Sequence, residues 1–526
     1  MAGRLIDAAL LWHTHGKLSA SLADKRLLKA AYAGDKENLQ ELLIAGECNT
    51  NFRNKQGGTP ILWAAFNGHT ECVQLLLQHG ADISIKDKNG RTPILWAACN
   101  GHTECVQLLL QHGADVSLQD KDGVTPILWA ACNGHTQCVQ LLLQHGADIS
   151  IQDKDGSSPL HLAAQYGDTE CVQLLLQHGA DINIQEKDGG TPIFWAACNG
   201  HTQCVQLLLQ HGADISIQVK DGRTPLHMAA DKGHTQGVQL LLQHGADVSV
   251  QDKDGITPLH SAAWGSNTQC VQLLLQHGAD VSVQDKDGMT PLHMATYKGD
   301  TQSVQLFLQH GADVSVQDKD GRTPILWAAC NGHTQCVQLL LQHGADIGTQ
   351  DKDGRTPLHM AAFKGKTQSV QLLLEHGADT SMQDEDGWTP IHLAARDGHK
   401  ECVQLLLQHE ADTNIQDEEG KTPRMLTDEK GHTAISELLR RLEIPDMQGY
   451  VQTRTLEHLA EILDLAEYTI INQSNVSTNF SGVFQFQKVQ ELKDWATKNN
   501  CRNIRDLRTG LQAADLQRLS SELQPC

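Results

Sequence analysis

The sequence predicts an all-α fold: a solenoid of stacked helical pairs with short β-hairpin-like turns, followed by a small helical bundle. Three observations carry this. Thr-Pro recurs every 33 residues, at Thr59, Thr92, Thr125, Thr191, Thr224, Thr257, Thr290, Thr323, Thr356, Thr389 and Thr422, with Ser158-Pro159 filling the one gap. Each frame carries two short apolar-periodic stretches divided by a glycine, too short to be stable alone and too apolar to stay unpacked. After Leu442 the frame disappears and a different helical pattern begins.

The frame starting at Asp87 shows the local logic. Asp87-Lys-Asn-Gly90 reads as a tight turn, with Gly accepting a left-handed backbone. Thr92 is placed to cap the coming helix, and Pro93 sits in its first turn, where no N–H is missed. Ala97 and Ala98 let neighbouring helices approach, and Gly101 ends the helix. The second stretch, Thr103 to His112, has apolar residues at 105, 106, 108, 109 and 110, a stripe broad enough to pack on more than one side. Gly113-Ala-Asp returns the chain to the next turn. A divergent unit, Leu27–Ala31 with Leu39–Ile44, precedes the twelve regular frames. The boundaries expected are a helical cap over 1–26, the array over 27–442, a linker over 443–452 and a bundle over 453–526.

Composition bounds the function. The 526 residues carry 63 acids against 41 bases, a formal charge of −22. Residues 446–526 account for only −2 of it, so the array is the acidic part. That argues against direct nucleic-acid binding and is compatible with a basic protein partner. The 15 cysteines are spread along the chain, many at one repeated slot. With no export signal legible after Met1, they suggest a reduced, cytoplasmic protein. No run approaches the length of a membrane span. The sequons at Asn472, Asn475 and Asn479 read as a polar loop.

A 33-residue period of turn, Thr-Pro, two short helices and Gly-Ala-Asp resembles the ankyrin repeat, over roughly Leu27 to Leu442. The resemblance implies a curved stack that recognises proteins through its hairpin tips and inner helices. The Thr-Pro-Leu-His motif of that family stands at His161, His227, His260, His293 and His359, with Thr-Pro-Ile-His at His392. In five units the His is replaced by Leu62, Leu95, Leu128, Phe194 or Leu326, and the next residue is then Trp63, Trp96, Trp129, Trp195 or Trp327. Either the indole fills the volume of a usual Leu, or the tryptophans form a partly exposed ladder along the first three full units.

Core positions are near-identical from copy to copy, because a volume error there costs about 1–3 kcal/mol. Variation gathers just after the turn glycine and at the end of the first helix. These slots are expected to form the partner-binding strip: Arg91, Val124, Tyr166, Arg223, Ile256, Met289, Tyr297, Arg322, Arg355, Phe363 and Trp388. Two seams interrupt the pattern. Ser266 replaces a helix-ending Gly, and Thr427-Asp428 replaces Ala-Ala.

Six units carry His-x-x-Cys: His69/Cys72, His102/Cys105, His135/Cys138, His201/Cys204, His333/Cys336 and His399/Cys402. Zinc needs four converging ligands, whereas each unit offers two, and stacked units stand roughly 10 Å apart. No metal and no cofactor is expected, and the Cys reads as a packing thiol. The His79, His112, His145 series reads as bonding at a helix end. No Gly-x-x-x-x-Gly-Lys-Ser/Thr or Gly-x-Ser-x-Gly motif occurs, and carboxylates such as Asp87, Asp120 and Asp153 recur once per unit, which is architecture. No catalytic residues are expected.

Beyond the array, Leu456, Leu459, Ala460 and Leu463, then Leu492-Lys-Asp-Trp495, then Asn503-Ile-Arg-Asp-Leu507 and Leu511 to Leu519 suggest several short helices. Their order resembles the death-fold superfamily, which implies homotypic assembly. Glu457, Glu461 and Asp464 make one patch, and Lys498, Arg502, Arg505 and Arg508 another, a pair suited to head-to-tail association. The functional expectation is a non-enzymatic adaptor, its array binding a protein and its terminal module mediating signalling assembly. The alternative is a structural scaffold or membrane-skeleton linker in which the bundle only caps the stack.

Overall fold

The computed structural model describes residues 21–442. Among them are 26 helices and no strand. Of these described residues, those up to His432 belong to one compact unit and those from Thr433 onward to a second. In the first unit twelve helix pairs follow one another, from Leu22–Ala33 with Lys36–Ala45 to Pro390–Arg396 with Lys400–Gln408, and Pro423–Lys430 comes last. In the second unit the described part is one helix, Thr433–Leu442. The helix Leu22–Ala33 runs through the 26/27 boundary drawn from the sequence. The linker 443–452, the bundle 453–526 and its resemblance to the death fold lie outside the described residues.

Local chemistry sets each element. In the regular units first helices begin at Pro, after a Thr or Ser with extended backbone, such as Thr92 at φ −96° and ψ 166°. They are seven or eight residues long in the regular units and stop near a glycine in the left-handed region, such as Gly101 at φ +75°. A Cβ on Gly101 would also stand 2.6 Å from the His135 ring of the next unit, so two independent constraints select glycine there. Ser266 occupies the same slot at φ +56° and Glu410 a related one at +63°. Both are strained positions for residues with a side chain.

Most turns are closed by their own aspartate, with Asn54 in that role before Thr59. Asp120 Oδ1 accepts the backbone N–H of Asp122 and of Val124, both at 2.9 Å, and the Gly123 N–H donates to the Asp120 carbonyl at 3.1 Å. The turns are therefore hairpin-like in hydrogen bonding without any strand. Adjacent tips are tied by backbone bonds, as from the Lys121 N–H to the Asn89 carbonyl at 2.9 Å.

Stacking buries the apolar residues. In one unit Ile94, Leu95, Trp96, Ala97, Ala98, Cys105, Val106, Leu109 and Leu110 are all buried, the large ones each stabilising by roughly 1.5–3 kcal/mol. First helices pack on one another more extensively than second helices do, which puts them on the inner side of the stack.

The array is further held by side-chain ladders. The His102 Nε2–H donates to the Phe66 carbonyl of the preceding unit at 3.0 Å, and His135, His201, His234, His333, His399 and His432 repeat the bond. Thr136 Oγ1 lies 3.1 Å from Cys171 Sγ, and Thr334 Oγ1 lies 3.2 Å from Ser369 Oγ at the same slot. The His79 series bonds its own helix end, Nδ1–H to the Leu75 carbonyl at 2.9 Å.

Candidate protein-binding face

The first-helix face is built from four slots per unit. They are the residue before the Thr of Thr-Pro, and those four, seven and eight positions after it. Helical spacing brings the last three to one side, and the first is the turn residue beside them.

Two alternative locks explain the coupled Leu-Trp and His variation. In His units the imidazole is buried. His260 Nδ1 accepts from the Thr257 N–H at 3.2 Å and hydroxyl at 2.8 Å, while Nε2–H donates to the Met289 carbonyl of the next unit at 3.1 Å. Burial depresses the imidazole pKa throughout this series, to about 4 for His260 and His359. In Trp units an apolar side chain takes the buried slot and the indole N–H turns to the aspartate of its own turn. Trp96 donates to Asp87 Oδ2 at 3.2 Å, Trp129 to Asp120 Oδ2 at 3.2 Å and Trp327 to Asp318 Oδ2 at 2.9 Å. Trp195 bonds Glu186, which replaces the aspartate. Trp63 alone has Asn54 there, and its indole Nε1 has no partner.

The capping role expected of Thr92 is not made. The buried hydroxyls of Thr92, Thr125 and Thr323 have no hydrogen-bond partner among the described residues, whereas Thr59 and Thr191, in units of the same Trp type, accept the N–H of Leu62 and Phe194 at 3.4 Å. The ladder reading of the tryptophans is likewise corrected for the first two units. Trp63 and Trp96 are only 5% and 7% exposed and pack with Leu28, Tyr32, Phe66 and Cys99. Trp63 meets Phe66 edge-on at 5.6 Å, and Phe66 meets Trp96 at 4.8 Å. Trp129, Trp195 and Trp327 are half-buried.

The residues predicted for the strip all reach the surface. Val124, Ile256, Met289, Tyr297, Phe363 and Trp388 are half-buried and Tyr166 is exposed. Arg91, Arg223, Arg322 and Arg355 do more than line it. Each places Nε 3.3–3.7 Å from the buried aspartate of the following turn, respectively Asp120, Asp252, Asp351 and Asp384. Trp388 takes the same role, donating its indole N–H to Asp417 Oδ2 at 2.9 Å. Arg91 also stacks on Trp96 and Trp129, at 4.5 and 5.4 Å from the ring centroids. These five are braces between units as well as face residues.

One surface aromatic escaped the sequence reading. Trp264 is 45% exposed, the most open tryptophan described. It stacks on Tyr297 at 5.6 Å, and Tyr297 in turn meets Trp327 edge-on at 5.3 Å. Its slot is that of Tyr297 and Phe363, so alignment of the units would have found it. Lys298 Nζ lies 3.8 Å from the Trp264 ring and Lys364 Nζ 4.5 Å from Phe363. Arg396 covers Trp388 and pairs with Asp397.

The chemistry of this face is that of contact. The His-x-x-Cys thiols are buried, and burial pushes Cys72, and Cys171 in the same slot after Asp168, up to about 11. The paired imidazoles are spent on backbone carbonyls, and among the described residues no cluster of His, Cys, Asp or Glu could hold a metal ion. Among the same residues no helix is long and apolar enough to cross a membrane. The patches Glu457, Glu461, Asp464 and Lys498, Arg502, Arg505, Arg508 lie outside the described residues.

Compared with known families, the chain matches ankyrin repeats (3 copies) over residues 27–120, 112–186, 180–252, 244–318, 297–384 and 376–447. The chain belongs to the ankyrin-repeat family. Ankyrin repeats are interaction modules, generally without catalysis of their own, and they point to protein partners for this chain. The matches cover both the divergent first unit and the polar unit at Thr427, so the departures from the motif are variants of the repeat.

Proposed function

We propose that this protein is a cytoplasmic adaptor. Its ankyrin array captures a protein through the first-helix face, and its C-terminal segment couples capture to signalling assembly. The observation that carries the first half is the division of labour in each unit. Core and ladder positions are repeated, whereas half-buried and exposed side chains at Val124, Tyr166, Ile256, Met289, Tyr297 and Phe363 differ from unit to unit on one face. A face that differs in sequence on an invariant scaffold has the means to be selective.

Crosslinking capture with the full chain tests this, comparing wild type with Tyr166→Ala, Met289→Ala and Phe363→Ala combined. Loss of the crosslinked partner at an unchanged melting temperature is expected. Capture that survives this triple variant refutes the face as the binding site. The arginines are excluded from the set because they brace the array. For the second half, homotypic association through the patches at Glu457, Glu461, Asp464 and Lys498, Arg502, Arg505, Arg508 predicts salt-dependent light scattering by the full chain. A scattering signal unchanged by Glu461→Lys and Arg505→Glu would remove that half.

A further inference from the structure

The cations of the face are unevenly placed. At the seventh and eighth slots the units from Thr59 to Thr191 carry Phe66/Asn67, Cys99/Asn100, Cys132/Asn133, Gln165/Tyr166 and Cys198/Asn199, with no charge. The Thr224 unit carries Asp231/Lys232, which pair with each other, and from Thr257 onward the same slots carry Trp264/Gly265, Tyr297/Lys298, Cys330/Asn331, Phe363/Lys364, Arg396/Asp397 and Glu429/Lys430. Lys298 and Lys364 are exposed, and among the described residues no carboxylate lies within ion-pair distance of either. Both ammonium groups sit against aromatic rings, and the half-buried Trp327 stands in the unit between them. Two unpaired lysines on an array with a charge of −20 over residues 1–445 form a local island of the opposite sign.

We infer that the run from Trp264 to Arg396 docks an extended acidic protein segment with an aromatic or aliphatic side chain between its carboxylates. This rests on the proposed capture of a protein by the first-helix face, and it names the partner's chemistry. Lys298 and Lys364 are two units apart, roughly 20 Å at 10 Å per stacked helix. That distance takes about six residues of extended chain. The carboxylates meet the lysines, Lys298 resting on Trp264, and the apolar side chain between them meets Tyr297 and Trp327. A nucleic-acid strand fits less well. The exposed tip carboxylates Asp320 and Asp353 border the run, and a continuous line of phosphates would face them, whereas separated carboxylates need not.

Fluorescence anisotropy with the full chain tests the inference. The probes are a labelled peptide with Glu pairs about six residues apart and Phe between them, the same peptide with Lys for Glu, and a single-stranded oligonucleotide. The Glu peptide alone should bind, more weakly as salt rises. Lys298→Glu and Lys364→Glu should each weaken it about tenfold, and Trp264→Ala should weaken it without changing the salt slope. Lys232→Glu, outside the run, should leave it unchanged. Equal binding of the Lys peptide, tighter binding of the oligonucleotide, indifference to both lysine reversals, or no binding of the Glu peptide would each overturn it. A crosslinked partner lost in the Tyr166, Met289, Phe363 variant but kept in the lysine reversals overturns this inference alone. A partner indifferent to every face variant overturns the wider reading too.

Discussion

Acidification should loosen the array through its buried histidines, in a window set by their chemistry. His260 and His359 are fully buried, with Nδ1 committed as an acceptor from Thr257 and Thr356 and Nε2–H as a donor to the next unit. Protonating Nδ1 would set a proton against the Thr backbone N–H, and burial already disfavours the charge, so both sit at about 4. In the unfolded chain an imidazole titrates near 6.5. Between those values only the unfolded state takes up the proton, so stability is full above about 6.5 and falls as pH drops toward 4. At pH 5 each of the two costs about 2 kcal/mol, from 1.36 kcal/mol per unit over roughly 1.5 units. His161, His227, His293 and His392 are depressed in the same direction and add to the loss. Raised carboxyls such as Asp351 and Glu186 work the other way, so the measurement compares variants and not pH values alone. Because solenoid stability is a sum of local terms, amide hydrogen exchange in Pro258–Trp264 and Pro357–Phe363 is the readout. Wild type should lose protection from pH 7 to 5 beyond the intrinsic change, and His260→Gln with His359→Gln should lose about 4 kcal/mol less in total. An equal loss in both proteins, or imidazole resonances titrating near 6.5, would refute the reasoning.

Three further outcomes are expected. Asn54→Asp should supply the acceptor that Trp63 Nε1 lacks, as the aspartate does in three other Trp units, raising stability by about 0.5–1.5 kcal/mol in a urea melt. Ser266→Gly should relieve a left-handed backbone at φ +56° and stabilise by roughly 1 kcal/mol, seen as slower exchange in the flanking helices. The Cys72 and Cys171 thiols, buried and pushed up to about 11, should react with a disulfide reagent at pH 8 at least about a hundredfold more slowly than free cysteine until urea unfolds the array.

What was legible in the sequence was local. Pro93 at a helix start, Gly90 in a turn and the apolar stripe of Thr103–Gln111 each state their conformation within a few residues, and all three stand where expected. What escaped was relational. Arg91 reads as a free surface cation until the Asp120 of the following turn is placed beside it. Thr92 reads as a cap, yet its buried hydroxyl has no partner among the described residues, while Thr59 and Thr191 in the same slot make the bond. The Thr136–Cys171 contact joins residues 35 apart, a spacing that becomes visible only when consecutive units are laid side by side. Trp264 was missed for the same reason, since its exposure follows from the slot it shares with Tyr297 and Phe363.

The ladders also explain why variation falls where it does. The slot seven residues after Thr supplies an acceptor to the next unit's histidine, as Phe66, Cys99, Gln165, Cys198, Tyr297, Phe363 and Arg396 all do. The slot before Thr does the same for the preceding unit's imidazole, through Gly190, Ile256, Met289, Arg322, Trp388 and Lys421. In both slots the architecture uses the backbone carbonyl, which every amino acid provides. The side chain is thereby released from the stack. At Cys105 or Val106 the side chain itself is packed against neighbours, and a change there is felt in more than one unit. Invariant stacking and a variable face are therefore two consequences of one hydrogen-bonding scheme. The exceptions, Arg91, Arg223, Arg322, Arg355 and Trp388, are the variable residues whose side chains have been drawn back into the brace.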